Sequence, residues 1–479
     1  MNFSLMYNLN IMNRNYIIIF KVCLLMNLFS SAVLSDVKDD LEKIMNECEK
    51  KDIFSGTVVT YTDGNIIYER SIGLSDREKN IQNENDTKHN IASIGKLFTA
   101  VMILQLAQEG KLDLESKISF FVKDASDKVT VRHLLQHTSG YGDYLNDPEF
   151  SVNPVKYKNI KDLTELILKE PLKFEAGEKF SYSNSGYVLL GGVIEFVTGK
   201  SYSENLTERI LDPLGMKNSE YEYKEPGDLK RAVGYIKDIT GKFSDNREFP
   251  EVPTPAGGMY STAHDLYIFG RSLLENNILL NDDSKLSFFT EFSSESKVDL
   301  QQIFSDPDGG NVYAGGSPGI NSMLMIFPQK KTVTVILSNY DQAAINLEKN
   351  ITDLILKGEL NLPKPNIAEY IYSVISGKGI EYADENFKSL MSENGYVIKN
   401  DMLLNQTGYR FLKSGLTDES IMIFKKNAEM FPDVANCFDS LGEAYLIKGD
   451  KVNAAANFKK ALEMDPGNEN AKNILNKLN

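Results

Sequence analysis

Ser93-Ile94-Gly95-Lys96 sets a hydroxyl and an amine three residues apart. On a helix those two positions share a face. A hydroxyl beside an amine on one face is the minimum apparatus of an activated serine nucleophile. The spacing alone is weak, because Ser35-Asp36-Val37-Lys38 and Ser294-Glu295-Ser296-Lys297 repeat it. Only Ser93 opens an apolar helix after a β-rich stretch; Leu97, Val101 and Leu104 give that helix its stripe, and Gly110 ends it. The plainer alternative makes Ser93 a helix cap and Lys96 a solvated charge.

Two more constellations bear on the same chemistry. Tyr182-Ser183-Asn184 offers a phenol that can pass a proton to a leaving group and a carboxamide that can hold a substrate amide or an ammonium. Tyr144-Leu145-Asn146 and Tyr157-Lys158-Asn159 share its spacing, but only 182–184 lies in a polar loop leading into an apolar helix. The alternative there is that Asn184 or Ser185 caps the helix. Tyr313-Ala314-Gly315-Gly316-Ser317-Pro318-Gly319 reads as a glycine-rich strand edge whose backbone N–H groups can approach a substrate carbonyl. Within it, Gly315 to Gly319 also fits Gly-x-Ser-x-Gly. That elbow needs the N–H of the residue after serine, and Pro318 has none, so Ser317 is rejected as a nucleophile.

The elements that must position these residues are legible in outline. Residues 36–51 form a charged amphipathic helix. Residues 54–61 and 65–71 flank Thr62-Asp63-Gly64, a strong hairpin signal. Helices are expected at 93–108, 129–136, 161–169 and 187–198, and β-rich runs at 323–327 and 332–338 form a closing hairpin. Strands at both ends with helices between predict an α+β or α/β domain over 36–358, its terminal strands sharing one sheet. Asn361-Leu362-Pro363-Lys364-Pro365 is a linker, and residues 359–402 combine it with degenerate helices. From 403 to 479 a period of 34 residues relates Gly408 to Gly442, Phe411 to Tyr445, Gly415 to Gly449, Phe424 to Phe458 and Pro432 to Pro466. That period resembles the tetratricopeptide repeat, a helix pair that buries its face by stacking and serves protein interaction.

Composition bounds the partners. The 479 residues carry a formal charge of −15 with no basic run, which argues against nucleic acid. Cys23, Cys48 and Cys437 are isolated, and His89, His133, His137 and His264 form no metal-ligand pair, so no disulfide framework, metal or cofactor is expected. Residues 1–35 read as a signal peptide: Arg14 and Lys21 supply charge, 22–29 an apolar core and 30–35 small residues for cleavage. This predicts a periplasmic or extracellular protein with no stable membrane span in the mature chain; the alternative is an uncleaved N-terminal anchor.

The matching stretches occur in a specific order: Ile91 to Lys96, 131–140 ending in His137-Thr138-Ser139-Gly140, Tyr182 to Tyr187, Pro213-Leu214-Gly215-Met216, Ala256-Gly257-Gly258-Met259, and Gly315 to Gly319. Together they resemble the β-lactamase-related serine hydrolases, a group with class C β-lactamases, penicillin-binding-protein-like carboxypeptidases, D-aminopeptidases and esterases. The resemblance covers roughly 56–337 and implies an α+β fold of antiparallel sheet and helices, with a helical subdomain and the site in the cleft between. It implies Ser93 as nucleophile, and Lys96 either as its base or as the cation that keeps Tyr182 anionic to act as base. Asn184 would position substrate, the N–H groups of Ser93 and Gly316 would form the oxyanion hole, and 137–140 would be a structural turn. The third motif commonly begins with His or Lys, and here the slot holds Tyr313. A tyrosine hydrogen-bonds but brings no positive charge to a substrate carboxylate. The expected substrate is therefore a small-molecule or peptide-like neutral ester or amide. The competing reading is a catalytically weak binding or scaffold protein that uses the fold as a ligand sensor.

Overall fold

A computed structural model of the chain describes residues 36–222, 230–249, 252–289, 305–306 and 310–478. The signal peptide expected at 1–35, Cys23 and the serine–lysine pair at 294–297 lie outside the described residues. The described chain divides into two compact units, one ending at Pro363 and one comprising Lys237–Ser244 and Lys364–Asn479. The sequence places this boundary at 358 and 237–244 within the first domain.

In the first unit, strands β1 (Gly56–Thr62) and β2 (Asn65–Ile72) form the expected hairpin. Asp63 and Gly64 between them both have positive φ, 46° and 93°, as a tight turn matched to strand twist requires. Strands β3 (Gly310–Ser317), β4 (Ile320–Phe327) and β5 (Thr332–Ser338) follow late in the sequence. The sheet runs β2-β1-β5-β4-β3, all antiparallel, with the two-residue strand Ser305–Asp306 at its edge. The terminal strands share a sheet as predicted: Gly56 lies opposite Ser338 and Thr62 opposite Thr332. The chain is thus α+β.

Strand alternation sorts the sheet into two buried faces. Val59, Tyr61, Leu324, Ile326, Val333, Val335 and Leu337 join the main core, which also takes helices α1 (Gly95–Gln108) and α3 (Ala263–Glu275); Phe98 and Phe269 stack there with centroids 4.1 Å apart. Val58, Met323, Met325 and Ile336 are buried on the other face, where α4 (Ala343–Lys357) packs on β4 and β5. Burial on both faces is why residues 323–327 of β4 are apolar at every position, while β5 alternates Thr332 and Thr334 with valine before its apolar run 335–337. Between the sheet's two halves in sequence lies the helical region, whose longest member is α2 (Asn184–Thr198), capped by Gly199.

From residue 364 onward the described residues of the second unit form only helices and their connections, compatible with the tetratricopeptide-like reading; its 237–244 segment carries strand residues instead. Helices Asp401–Lys413 and Thr417–Met430 recur at Ala435–Lys448 and Lys451–Met464. The 34-residue period has a packing cause. A Cβ at Gly408 would meet the Phe424 ring at 2.5 Å, and one at Gly442 the Phe458 ring at 3.1 Å, so each glycine admits its partner's aromatic ring. The degenerate helices are a further layer: Ile367, Ile371, Phe387 and Met391 share a cluster with Leu404, Phe411 and Ile423. Phe424→Ala is expected to cost about 3–5 kcal/mol, as large core truncations do. Hydrogen exchange across 401–464 under urea reads that loss; unchanged protection would contradict this packing.

Candidate active site

Ser93 sits in a 3₁₀ turn, Ala92–Ile94, that feeds directly into α1. The α-helix begins two residues later than expected, yet the turn keeps the hydroxyl on the Lys96 side. Three segments pin this turn. The Asn90 side chain accepts from Ala92 N–H at 2.8 Å; Ile91 N–H donates to Met259 O at 3.0 Å; and Ser322 Oγ donates to Ile91 O at 2.9 Å. Ala92 holds φ +45°, a left-handed conformation that costs a side-chain-bearing residue about 1–3 kcal/mol.

Two glycines let backbone close around it. Gly257 has φ +151°, and a Cβ there would lie 2.5 Å from Ala92 O. A Cβ at Gly315 would lie 2.3 Å from Ile91 O and 3.0 Å from Ser93 N. Strand β3 therefore approaches the serine turn only because residue 315 is glycine. Gly316 follows, exposed, and among the described residues no strand pairs with the outer edge of β3 beyond Asn311. Ser317 ends β3 at its hairpin turn.

The polar side chains converge on Ser93. Lys96 Nζ lies 3.1 Å from Ser93 Oγ, 2.7 Å from Asn184 Oδ1 and 2.6 Å from Ala256 O. Tyr182 donates its hydroxyl to Ser93 Oγ at 2.9 Å, and its ring centroid is 4.9 Å from Lys96 Nζ. Lys96 is 5% exposed. Desolvation pulls its pKa down to about 7, against an opposing pull from the Asp143 carboxylate. A neutral amine has two N–H donors and one lone pair. Two carbonyl-type acceptors, Asn184 Oδ1 and Ala256 O, take the donors, which leaves the lone pair for the Ser93 hydroxyl.

Helix α2 starts at Asn184 rather than at 187. Neither Asn184 nor Ser185 caps it: Ser183 is at the cap position, its hydroxyl donates to Gly142 O, and Asp143 Oδ2 accepts from Asn184 N–H at 3.1 Å. His137 has φ +55° and is buried; desolvation lowers its pKa to about 3, so its ring is neutral. Its Nδ1 accepts from Ser183 N–H at 3.2 Å, and its ring stacks on Tyr182 with centroids 4.5 Å apart. The histidine thus shapes the loop that carries Tyr182. Tyr313 stands two residues before Gly315 on the same strand face, half-buried against the core with its ring 6.1 Å from Phe288.

The structure brings Ser93, Lys96, Tyr182 and Asn184 into one bonded set, with Gly315 against the serine turn. Sequence reasoning did not single out Asp143 or the Ala256 carbonyl. A carboxylate six residues after His137 was the available signal for the first; the second is a backbone atom and leaves no side-chain signature.

A serine in the turn that opens a helix, a buried lysine on that helix's first turn and a tyrosine from a separate loop, joined by hydrogen bonds beside an antiparallel sheet, define the serine acyl-transfer class of site. The chain belongs to the Beta-lactamase family, whose pattern matches residues 39–355. It is 28% identical over 340 residues to penicillin-binding protein 4* of Bacillus subtilis (strain 168), covering 65% of this chain and 75% of that protein. It is 28% identical over 290 residues to protein flp of Staphylococcus aureus (strain N315), covering 59% of this chain and 56% of the relative. This chain thus spans only about half of the latter's length. Among solved structures, a penicillin binding protein from Bacillus halodurans superposes with a TM-score of 0.58 at 28% identity, over 65% of this chain and 98% of that one. A D-stereospecific amidohydrolase from Streptomyces sp. superposes with a TM-score of 0.55 at 23% identity, over 68% and 99%, and shows the shared fold. Among the described residues no helix is long and apolar enough to cross a membrane.

Proposed function

We propose that this protein is an exported serine hydrolase that cleaves a neutral ester or amide through an acyl-enzyme on Ser93. One observation carries the reading: Ser93 Oγ lies between Lys96 Nζ and Tyr182 OH, at 3.1 and 2.9 Å, while burial suppresses the amine's charge. In this reading Ser93 Oγ attacks the substrate carbonyl carbon as its proton passes to Lys96 Nζ. Tyr182 delivers a proton to the departing oxygen or nitrogen as the carbonyl bond to it breaks, and takes back the proton that Lys96 removed from Ser93, so both groups return to their starting state. Water then attacks the ester on Ser93, releasing the acid and restoring the hydroxyl. The N–H groups of Ser93 and Gly316 bind the developing oxyanion. Asn184 holds Lys96 and faces substrate.

Tyr313 supports the neutral-substrate choice, since the slot where the motif resemblance leads one to expect His or Lys holds a phenol, which brings no positive charge. Residues 1–35 would direct export, 36–358 would form the hydrolase domain, and the repeats at 403–479 would dock a protein partner. A binding-only role fits less well: a buried amine beside an intact serine is costly to keep without chemistry.

A fluorophosphonate and a fluorescent penicillin separate these readings. The expected result is labelling by the fluorophosphonate and little by the penicillin; no labelling of folded protein by either contradicts an enzyme. Tyr313→His at pH 6 should raise penicillin labelling about 10-fold, the scale of one charge-assisted hydrogen bond. No gain would remove Tyr313 as the reason for the preference.

A further inference from the structure

We infer that Asp143 is a positioning residue of this site, fixing the Asn184 carboxamide so that its oxygen, and not its nitrogen, faces Lys96. The inference rests on the functional reading above. A carboxamide's two ends are nearly the same size, so shape alone does not choose between them. An ionised carboxylate accepts hydrogen bonds only. Asp143 Oδ2 accepts from Asn184 Nδ2 at 2.7 Å and from the Asn184 backbone N–H at 3.1 Å, while Oδ1 accepts from Leu145 N–H at 3.1 Å. The flipped amide would set oxygen against carboxylate and N–H against the Lys96 donors, two mismatches at once. Asp143 thereby makes Asn184 an acceptor for Lys96 at 2.7 Å, and the amine's remaining valence is turned to Ser93.

Asp143 also acts by charge. The groups facing Lys96 are the Tyr182 and Tyr187 rings, the neutral His137 ring, and this carboxylate; the first turn of α1 has no acidic residue. The Asp143 charge favours the ammonium and so offsets part of the burial effect. One residue thus orients the Asn184 carboxamide and opposes part of the burial-driven shift of Lys96.

The test is the second-order rate of fluorophosphonate labelling of the full chain from pH 5 to 9. Asp143→Asn can still present an oxygen to both Asn184 N–H groups, so its plateau rate should stay within about 10-fold of the parent. Its acid limb should move to lower pH by half a unit or more, because the ammonium loses its counter-charge. Asp143→Ala should slow labelling about 10–100-fold, the scale of a mispositioned group. Combined with Asn184→Ala it should cost nothing further, because the two act as one unit. An unmoved acid limb in Asp143→Asn overturns the inference, as do additive losses in the double variant. If Asp143→Ala does not fold, the limb in Asp143→Asn decides. Absence of Ser93-dependent labelling in the parent overturns the enzyme reading and this inference together. Ser93-dependent labelling indifferent to Asp143 overturns the inference alone.

Discussion

Ser93→Ala is expected to lower ester hydrolysis by a factor on the order of 10⁴–10⁶, the range seen when a nucleophile is deleted from an acyl-transfer site. The substitution removes one oxygen from the rim of a packed turn. It leaves the bonds from Asn90, Met259 and Ser322 to that turn intact, because those end on the backbone of residues 91 and 92. Only the Oγ contacts to Lys96 and Tyr182 are lost with it, so thermal unfolding should shift little while turnover is lost. A p-nitrophenyl ester series measures the rate and a thermal melt the fold. Retained hydrolysis would mean that another group attacks.

Lys96→Met should cost about 10³-fold in the acylation rate, within the range of general-base contributions. Methionine keeps most of the buried stem but removes the group that faces Ser93 Oγ, Asn184 Oδ1 and Ala256 O. In the parent, the acylation rate should rise with pH through about 7. Below that value the buried lysine is an ammonium and cannot take the serine proton; above it the amine is free. In Lys96→Met that limb should vanish. Stopped-flow acylation across pH 5–9 checks both. A limb that persists in the variant would move the base role to another group.

Much of this site was legible because its chemistry sits on side chains at fixed spacings. Ser93 and Lys96 share the start of a helix, and Tyr182 and Asn184 flank the start of another. The 34-residue period was legible for a similar reason, since Gly408 and Gly442 each face an aromatic ring that repeats at the same interval. The remainder depends on contacts between distant segments. Asp143 is 41 residues from Asn184 and lies in an irregular loop with no periodicity to mark it. The Ala256 carbonyl reaches Lys96 across 160 residues through a tight loop at Thr254 and Gly257. The left-handed Ala92 is an ordinary residue type that tertiary contacts hold in a conformation it disfavours. The helix expected from 93 starts two residues later, after a 3₁₀ turn, and the one expected from 187 starts three residues earlier, where Asp143 from another loop accepts from Asn184 N–H.

The central claim is that Ser93 attacks and that a neutral Lys96 makes it able to. Intact-mass measurement with peptide mapping after fluorophosphonate treatment tests it most directly, repeated along a pH series. The account predicts one adduct, on the peptide carrying Ser93, forming at a rate that rises along a single titration with a midpoint near 7. An adduct on another residue, or a Ser93 adduct whose rate does not change from pH 5 to 9, would contradict it.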